Sequence, residues 1–211
     1  MLRKLRRRVR AHCPLWARSV LARRTLARCQ RPYKLNVGCG GVAFDGWVNV
    51  DIEPKRGVDL VWDATRRFPM EDGSCSLIYS EHFLEHLSID QARAFLSECR
   101  RLLAPGGVLR IATPSLEYLV GKYVSDDWRD QEWLRKPPFS SIETRAEMVN
   151  VGLRNWGHRW LYDSEELHRR LADGGFENVR DVAWGASDTE DLRNRETRPD
   201  SILVCEARKV G

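Results

Sequence analysis

Short apolar or β-branched runs recur along the chain, and most of them end in Gly, Asp or Ser. Such runs are typical of buried strands in a parallel sheet, where both faces of each strand are covered. They fall at residues 34–38, 47–52, 58–62, 76–80 and 107–113, with two more around 176–184 and 201–208. Helix-like segments lie among them, so the sequence predicts an α/β fold. We expect a doubly wound, mostly parallel sheet of about seven strands, preceded by a basic N-terminal helical extension.

Two of the helix-like segments carry clear end signals. In SIDQARAFLSECRRLLAPGG, Ser88 and Gln91 have the spacing of a capping box, and the triplet at residues 105–107 ends the helix. In DSEELHRRLADGGF, Asp163 is the expected N-cap, and the glycine pair at residues 174–175 ends the helix. Both segments therefore predict helices that connect strands of the sheet.

The charge of the chain is unevenly distributed. Residues 1–31 carry Lys4 and ten arginines, whereas the first acidic residue is Asp45, so the remaining chain has 24 basic against 30 acidic residues. Apolar residues recur between the arginines at roughly helical spacing, with Pro14 separating two amphipathic pieces. This pattern fits an anionic membrane surface, nucleic acid or a transit peptide, and docking of the tail on its own domain is an equally good interpretation.

The composition limits the location and the domain organisation. No run of about eighteen apolar residues is present, so we expect no transmembrane segment. The six cysteines form no C-x-x-C pair, which is typical of reduced thiols. We therefore predict a cytoplasmic protein, peripheral at the membrane if its tail binds lipid. Its domains are predicted as a basic amphipathic extension at residues 1–31 and one globular domain at residues 32–211.

A glycine-rich loop follows the first predicted strand. Residues 38–43, GCGGVA, match the G-x-G-x-x-G/A pattern of dinucleotide-binding loops. A dinucleotide site also needs a helix directly after the glycines and an acidic residue about twenty positions on. Here Asp51 follows the first glycine by only thirteen positions, and residues 44–47 leave room for no more than a turn. The loop therefore fits a ligand that has a ribose but no pyrophosphate.

Five segments in one order carry a family resemblance: LNVGCGG, GWVNVDI, DLVWDA, CSLIYSEHFLEHL and LLAPGGVLRIATPS. Together they resemble class I, Rossmann-like S-adenosylmethionine-dependent methyltransferases, particularly the type-11-like group. The resemblance covers residues 34–115 strongly, and the LADGGF helix with the last strand pair more loosely. It implies that residues 32–211 are a methyltransferase domain and that S-adenosyl-L-methionine is the cofactor.

The resemblance also implies which residues contact the cofactor. The glycine loop lines the methionine part, Asp51 accepts both ribose hydroxyls, and Asp63 meets the adenine. Ser80 and Glu81 lie beside the transferring methyl group, and Asn36 stands where many members have an acid. The implied cofactor-binding residues are Asn36, Gly38, Cys39, Gly40, Gly41, Asp51, Ile52, Asp63, Ala64, Ser80 and Glu81. The alternative for the polar residues among them is that they only cap turns or satisfy backbone groups.

The stretch HFLEH at residues 82–86 matches the H-x-x-E-H pattern of inverted zinc proteases, in which two histidines bind zinc and the glutamate is the base. It directly follows a predicted strand instead of lying inside a long helix, and similar EHxLEH stretches occur in the family that the chain resembles. We therefore predict no metal. A zinc hydrolase that uses His82, Glu85 and His86 is the minor alternative.

The segment after the fifth strand is expected to bind the methyl acceptor. Residues 116–162 are predicted to form a lid-like insert, and their many tryptophans and tyrosines would suit a ring or a sugar face. For any single tryptophan there, the favoured interpretation is that it packs the lid onto the sheet. The predicted function is methyl transfer to a small-molecule or saccharide acceptor. A nucleic-acid methyltransferase that uses the basic tail is the alternative.

A histidine near the end of this insert is the predicted general base. His158 lies between two tryptophans, directly before the helix capped by Asp163, and imidazole is well matched to taking a proton near neutral pH. Asp163 or Tyr162 could fix its tautomer. The alternative is that His158 only hydrogen-bonds its loop. Glu81 and His86 are the next candidates for a catalytic role.

Overall fold

The computed structural model describes residues 15–211, with side chains from residue 20 onward. The first of the two amphipathic pieces predicted in the tail, before Pro14, lies outside the described residues. The strands are β1 Tyr33–Val37, β2 Val48–Asp51, β3 Leu60–Val61, β4 Cys75–Glu81, β5 Leu103–Thr113, β6 Glu177–Asp181 and β7 Leu203–Arg208. The α-helices are α1 Leu15–Leu26, α2 Ile89–Leu102, α3 Leu116–Val124, α4 Arg145–Arg154 and α5 Ser164–Asp173.

The parallel strands end at one edge of the sheet. In the described chain, the seven strands form one sheet in the order β3-β2-β1-β4-β5-β7-β6. β1 pairs in parallel with β2 and β4, so that Val37 is in register with both Val50 and Ser80, and the pairing of β4 with β5 continues this row to Ile111. β7 pairs antiparallel with both of its neighbours, β5 and β6. The predicted α/β sheet is confirmed, and residues that follow this row lie together at its carboxyl edge.

The two faces of the sheet are covered differently. On β4, Ile78 belongs to the main core, which it shares with apolar residues of α1, α2 and α5. Leu77 and Tyr79 belong to a second cluster, because side chains alternate between the faces of a strand. Trp47 and Leu192 cover that second cluster, and both lie outside the α-helices. Loops therefore close this part of the second face.

A buried arginine fixes the long loop between β6 and β7. Arg110 lies in β5 with its side chain fully buried. Its guanidinium donates to the carboxylates of Glu196 and Glu206, at 2.7 Å each, and to the carbonyl of Ala186 at 2.8 Å. A buried charge without partners is strongly destabilising, so these contacts require the loop to lie across β5.

The connection between β1 and β2 contains no helix in the described chain, as the sequence predicts. Amide side chains shape it instead. Asn36 donates to the carbonyl of Val42 at 2.9 Å and to the side-chain oxygen of Asn49 at 3.1 Å. Asn49 in turn accepts from the Phe44 N–H and donates to the Asp59 carboxylate. Because buried polar groups need partners, this network fixes the glycine loop from the side of the sheet.

Helices α2 and α5 begin where the sequence predicts. Ser88 accepts from the backbone of Gln91, and the Gln91 side chain accepts from the Ser88 N–H, which completes the capping box. Asp163 accepts from the backbone N–H of Glu166 and caps α5. Strand lengths agree less well, since the run at 58–62 forms only a two-residue strand. Local end signals thus predicted the helices better than apolar runs predicted strand lengths.

Part of the basic extension packs on the domain. Ala22 and Leu26 of α1 belong to the main core, and the Tyr33 hydroxyl donates to the Leu26 carbonyl at 3.2 Å. Val20 and Leu21 are about half exposed. Among the described helices, none is both long and apolar enough to span a bilayer.

Candidate active site

The glycine loop and Asp51 meet at the carboxyl edge of β1 and β2. The N–H of Gly40 donates to one Asp51 carboxylate oxygen at 2.7 Å, and the N–H of Glu53 donates to the other at 2.8 Å. A side-chain carbon added at Gly40 or Gly41 would meet no atom within 4 Å, whereas one at Gly38 would collide with Phe83. The loop is therefore packed on one side and open on the other, next to an acid.

Asn36 and Cys39, two further predicted cofactor contacts, form hydrogen bonds within the protein. The Asn36 amide is buried and used within the loop network, so it supports the loop. The Cys39 backbone N–H donates to Val50, and burial raises the pKa of its thiol to about 11. Cys39 is thus a neutral thiol at physiological pH.

Ile52, an implied cofactor contact, lies after β2, and the pair expected beside the adenine, Asp63 and Ala64, lies after β3. Ile52 follows Asp51 and is 68% exposed, which offers apolar surface directly beside the acid. One Asp63 carboxylate oxygen accepts from both the backbone N–H and the hydroxyl of Thr65, at 3.0 and 2.7 Å. Ala64 is buried. Asp63 therefore orders its own turn and keeps its other oxygen near the surface, where it contacts Arg66.

The Glu81 carboxylate binds the loop before β7, a contact for which the sequence gives no signal. Its carboxylate accepts from the Thr197 N–H and hydroxyl, from the Arg198 N–H and from the Ser201 hydroxyl, at 2.6–3.1 Å. These four hydrogen bonds occupy both carboxylate oxygens, and they hold the loop at residues 197–201 against the end of β4. Its neighbour Ser80 is buried, and the Ser80 hydroxyl has no partner.

His82 follows Glu81 in a left-handed backbone conformation, with φ of 49°. Such a conformation is uncommon for residues other than glycine and is concentrated at functional sites. Burial lowers the pKa of His82 to about 4, so the ring is neutral at pH 7. Its Nε2 lies 3.7 Å from the Asp200 carboxylate, which joins the end of β4 to the loop that Glu81 binds.

Glu85, His86 and His158 come together although 72 residues separate the last two. The backbone explains this contact. The Glu85 carbonyl accepts from the N–H groups of Arg159 and Trp160, at 2.8 and 3.1 Å, which brings the end of the insert to the end of β4. The imidazole rings of His86 and His158 then lie with their centroids 5.3 Å apart, edge to face.

The Glu85 carboxyl group is fully buried in this cluster. One oxygen accepts from the Thr113 hydroxyl at 3.1 Å, and the other has no hydrogen-bond partner. That second oxygen lies 3.5 Å from His82 Nδ1 and 3.9 Å from His86 Nε2. Burial raises the pKa of Glu85 to about 7, because the charged form loses its hydration.

His158 is oriented by the backbone. Its Nδ1 lies 2.9 Å from the Gly152 carbonyl, which can only accept, so Nδ1 carries the hydrogen and Nε2 keeps its lone pair. The suggestion that Asp163 or Tyr162 fixes this tautomer is wrong, because Asp163 caps α5 and the Tyr162 hydroxyl is buried without a partner. Burial lowers the pKa of His158 below its ordinary value.

The geometry of an inverted zinc protease is not formed by residues 82–86. That motif needs both histidines on one α-helix, whereas only Leu84–His86 is helical here, as a single 3₁₀ turn, and His82 precedes it with a positive φ. The histidine that joins Glu85 and His86 is His158.

A cavity of about 180 Å³ lies between the insert, the end of β5 and the loop before β7. Aromatic residues of the insert, Tyr118, Trp133 and Trp156, form one side of it together with His158. Asp200 closes the other side. The insert has a small core of its own, formed by Leu119, Trp128, Leu134, Ile142 and Met148.

Part of the chain matches a known protein family. Residues 35–111 match the family model described as a methyltransferase domain. The chain is similar in structure to a SAM-dependent methyltransferase from Archaeoglobus fulgidus, with 16% identity, coverage of 90% of this chain and 92% of that chain, and a TM-score of 0.48. No curated protein matches the sequence.

Two other similar structures contain cofactor-type ligands. One is 1,6-didemethyltoxoflavin-N1-methyltransferase from Burkholderia thailandensis with bound S-adenosylhomocysteine, at 14% identity, 92% and 77% coverage and a TM-score of 0.49. The other is human N-acetylserotonin methyltransferase in complex with SAM, at 15% identity, 93% and 52% coverage and a TM-score of 0.49.

The strand order and the glycine loop define an α/β domain of the Rossmann-like type. The family match, over residues 35–111, identifies a methyltransferase domain. It supports the predicted recognition of a class I S-adenosylmethionine-dependent methyltransferase, an enzyme whose cofactor is S-adenosylmethionine. The residues at the carboxyl edge fit this cofactor, since a side-chain carbon at Gly40 or Gly41 would meet no atom, Ile52 is exposed beside Asp51, and the buried Ser80 hydroxyl has no partner.

The buried carboxyl group of Glu85 predicts a pH-dependent stability. Its pKa is raised from 4.5 to about 7, so its contribution is most favourable below about pH 4.5 and is lost as the pH rises through about 7. Glu85→Gln removes this ionisation. The free energy of unfolding of the variant relative to wild type should therefore rise by about 2 kcal/mol between about pH 5 and about pH 8 in denaturant titrations. Glu117→Gln, at an exposed position, should show no such trend. A pH-independent difference for Glu85→Gln would contradict the assignment.

Proposed function

We propose that this enzyme transfers the methyl group to a small-molecule or saccharide acceptor that binds beneath the insert. The cavity beside Trp133, Trp156 and His158 is the observation that carries the proposal. At about 180 Å³ it is smaller than the roughly 300–1,000 Å³ of pockets for drug-sized ligands. It suits a single ring, to which the aromatic side chains offer apolar faces.

The charges of the cavity favour such an acceptor over nucleic acid. Glu132 and Asp200 contribute carboxylates, and Lys136 is the one lysine among the described lining residues. Carboxylates accept hydrogen bonds from hydroxyl or amino groups, but they repel the phosphates that nucleic-acid-binding proteins neutralise with lysine and arginine. The basic tail is therefore the one feature that still favours the nucleic-acid alternative.

The tail is proposed to bind an anionic membrane surface, which would make a cytoplasmic enzyme peripheral at that membrane. Its eleven basic residues and lack of acids support this partner. Because Ala22 and Leu26 are occupied in the core, the lipid contact is assigned to the residues before them.

The cofactor contacts are proposed from the resemblance and from the contacts of the carboxyl edge. Residues 38–41 would line the methionine part, Asp51 would accept the ribose hydroxyls, and Ile52 with Asp63 and Ala64 would border the adenine. When bound, S-adenosylmethionine supplies a methyl group on a positively charged sulfonium, which is already electrophilic. The protein therefore has to orient the acceptor, exclude water and remove a proton.

His158 is proposed as the residue that removes this proton. It lines the cavity, its Nδ1–H is held by Gly152, and its lowered pKa keeps Nε2 free to accept a proton at neutral pH. His86, whose ring contacts His158, is the second candidate. Glu81 ranks behind them, because four donors already occupy its carboxylate.

The Asp51 assignment is tested by cofactor affinity. Asp51→Ala removes the charge-assisted bonds to both ribose hydroxyls, so calorimetry should show S-adenosylmethionine binding weakened by about 2 kcal/mol or more. Asp45→Ala, at an exposed position of the same loop, is the control and should bind normally. Unchanged affinity of the Asp51 variant would remove Asp51 from the site.

The acceptor class is tested with radiolabelled cofactor. Pools of monosaccharides, phenols and small amines should yield labelled product, and total RNA and DNA should stay unlabelled. Trp133→Ala should raise KM for the identified acceptor at least about tenfold by removing one aromatic wall, whereas Trp184→Ala, exposed and outside the cavity, should not. Label in nucleic acid would replace the proposal by the alternative.

The role of His158 is tested by its pH profile. His158→Ala should lower kcat about a hundredfold or more, retain cofactor binding, and abolish the loss of activity that wild type shows as the pH falls through the lowered pKa, below about 6.5. His168→Ala, outside the cavity, should behave as wild type. Near-normal turnover of the His158 variant would show that orientation alone suffices.

A further inference from the structure

The cluster of Glu85, His86 and His158 has an arrangement that acid–base catalysis does not require. One carboxylate oxygen and one ring nitrogen from each histidine all lie within 4.8 Å of one another. The oxygen of Glu85 that faces the histidines is fully buried and has no hydrogen-bond partner. An unpaired buried oxygen is costly, and an ion between the three groups would satisfy it.

The hydrogen bonds around this cluster are of the kind that orient metal ligands. Metal-bound histidines usually donate their other ring N–H to a backbone carbonyl or a carboxylate, as the His158 Nδ1–H does to Gly152. The Oε2 oxygen of Glu85, which does not face the histidines, accepts from the Thr113 hydroxyl, and this bond orients the carboxylate. Two imidazoles and one carboxylate with an open fourth position form a common zinc ligand set.

We propose that Glu85, His86 and His158 bind a divalent transition-metal ion of the zinc type. Tetrahedral ligands at about 2.0–2.1 Å from zinc lie about 3.3 Å apart, so the three groups must draw closer than they stand here. His86, whose side chain is 34% exposed, has the most room to move. The site differs from the sequence motif, because His158 replaces His82 as the second histidine ligand.

Occupation of the site would affect methyl transfer. A lone pair of His158 that binds zinc cannot accept a proton, so zinc is expected to inhibit the enzyme and a chelator to relieve the inhibition. This consequence rests on the proposed role of His158 as the base. Zinc binding itself does not depend on that role, and it can be measured without any methyl acceptor.

The experiment is competition for Zn²⁺ between the full-length, metal-stripped protein and a chromophoric chelator. Wild type should bind one ion at this site, and Glu85→Gln should weaken that binding by more than the about 10–100-fold that loss of an outer contact costs. His158→Gln should have the same effect. His168→Gln, in a second cluster with Asp181 and Cys205, should leave this binding unchanged. His82→Asn, which suits the left-handed backbone but removes a ring 3.5 Å from the Glu85 oxygen, should weaken it less than His158→Gln does.

The outcomes separate this proposal from the proposed function. Circular dichroism of each variant checks that the fold is retained. Zinc affinity of Glu85→Gln equal to wild type, or no saturable binding by wild type, would overturn the site. Loss of zinc in His82→Asn but not in His158→Gln would return the ion to the sequence motif. If zinc binds as expected but fails to inhibit methyl transfer, the metal site stands and the role of His158 as base fails.

Discussion

The buried guanidinium of Arg110 is the constraint on which much of the second face depends. It lies in β5, inside the sheet, where a charge without partners would be strongly destabilising. Glu206 comes from the neighbouring strand β7, but Glu196 comes from the loop before it, so burial of the arginine requires that loop to lie across the sheet. Leu192 of this loop packs with Phe44 and Trp47 from the connection between β1 and β2, in which the described chain has no helix.

The position of this loop links the two halves of the candidate active site. From Glu196 the chain continues directly to Thr197 and Ser201, which donate to Glu81 at the end of β4. Asp200, between them, lines the cavity beneath the insert. The same carboxyl edge therefore carries the cofactor-side residues of β1 and β2 and one wall of the cavity proposed for the acceptor, because parallel strands all end there.

Local signals predicted the elements that need only neighbouring residues. The Ser88 capping box, the Asp163 cap and the turn that replaces a helix after the glycine loop all depend on contacts within about ten residues. The position of Asp51 at the carboxyl edge followed from its place at the end of a predicted parallel strand. The family resemblance implied that Glu81 lies beside the methyl group, but the sequence held no sign that a loop 116 residues away would bind its carboxylate.

The family and the cofactor came from the resemblance that five segments of the chain carry. By itself, the sequence determined the α/β class, the glycine loop with no helix after it, and the acid that ends the second strand beside that loop. These follow from periodicity, turn residues and motif spacing, which are properties of short segments. Only the tertiary structure decided which histidine joins Glu85 and His86. The contact between His86 and His158 depends on backbone hydrogen bonds from Arg159 and Trp160 to the Glu85 carbonyl. Such long-range pairings leave no local pattern, because any carbonyl can accept them.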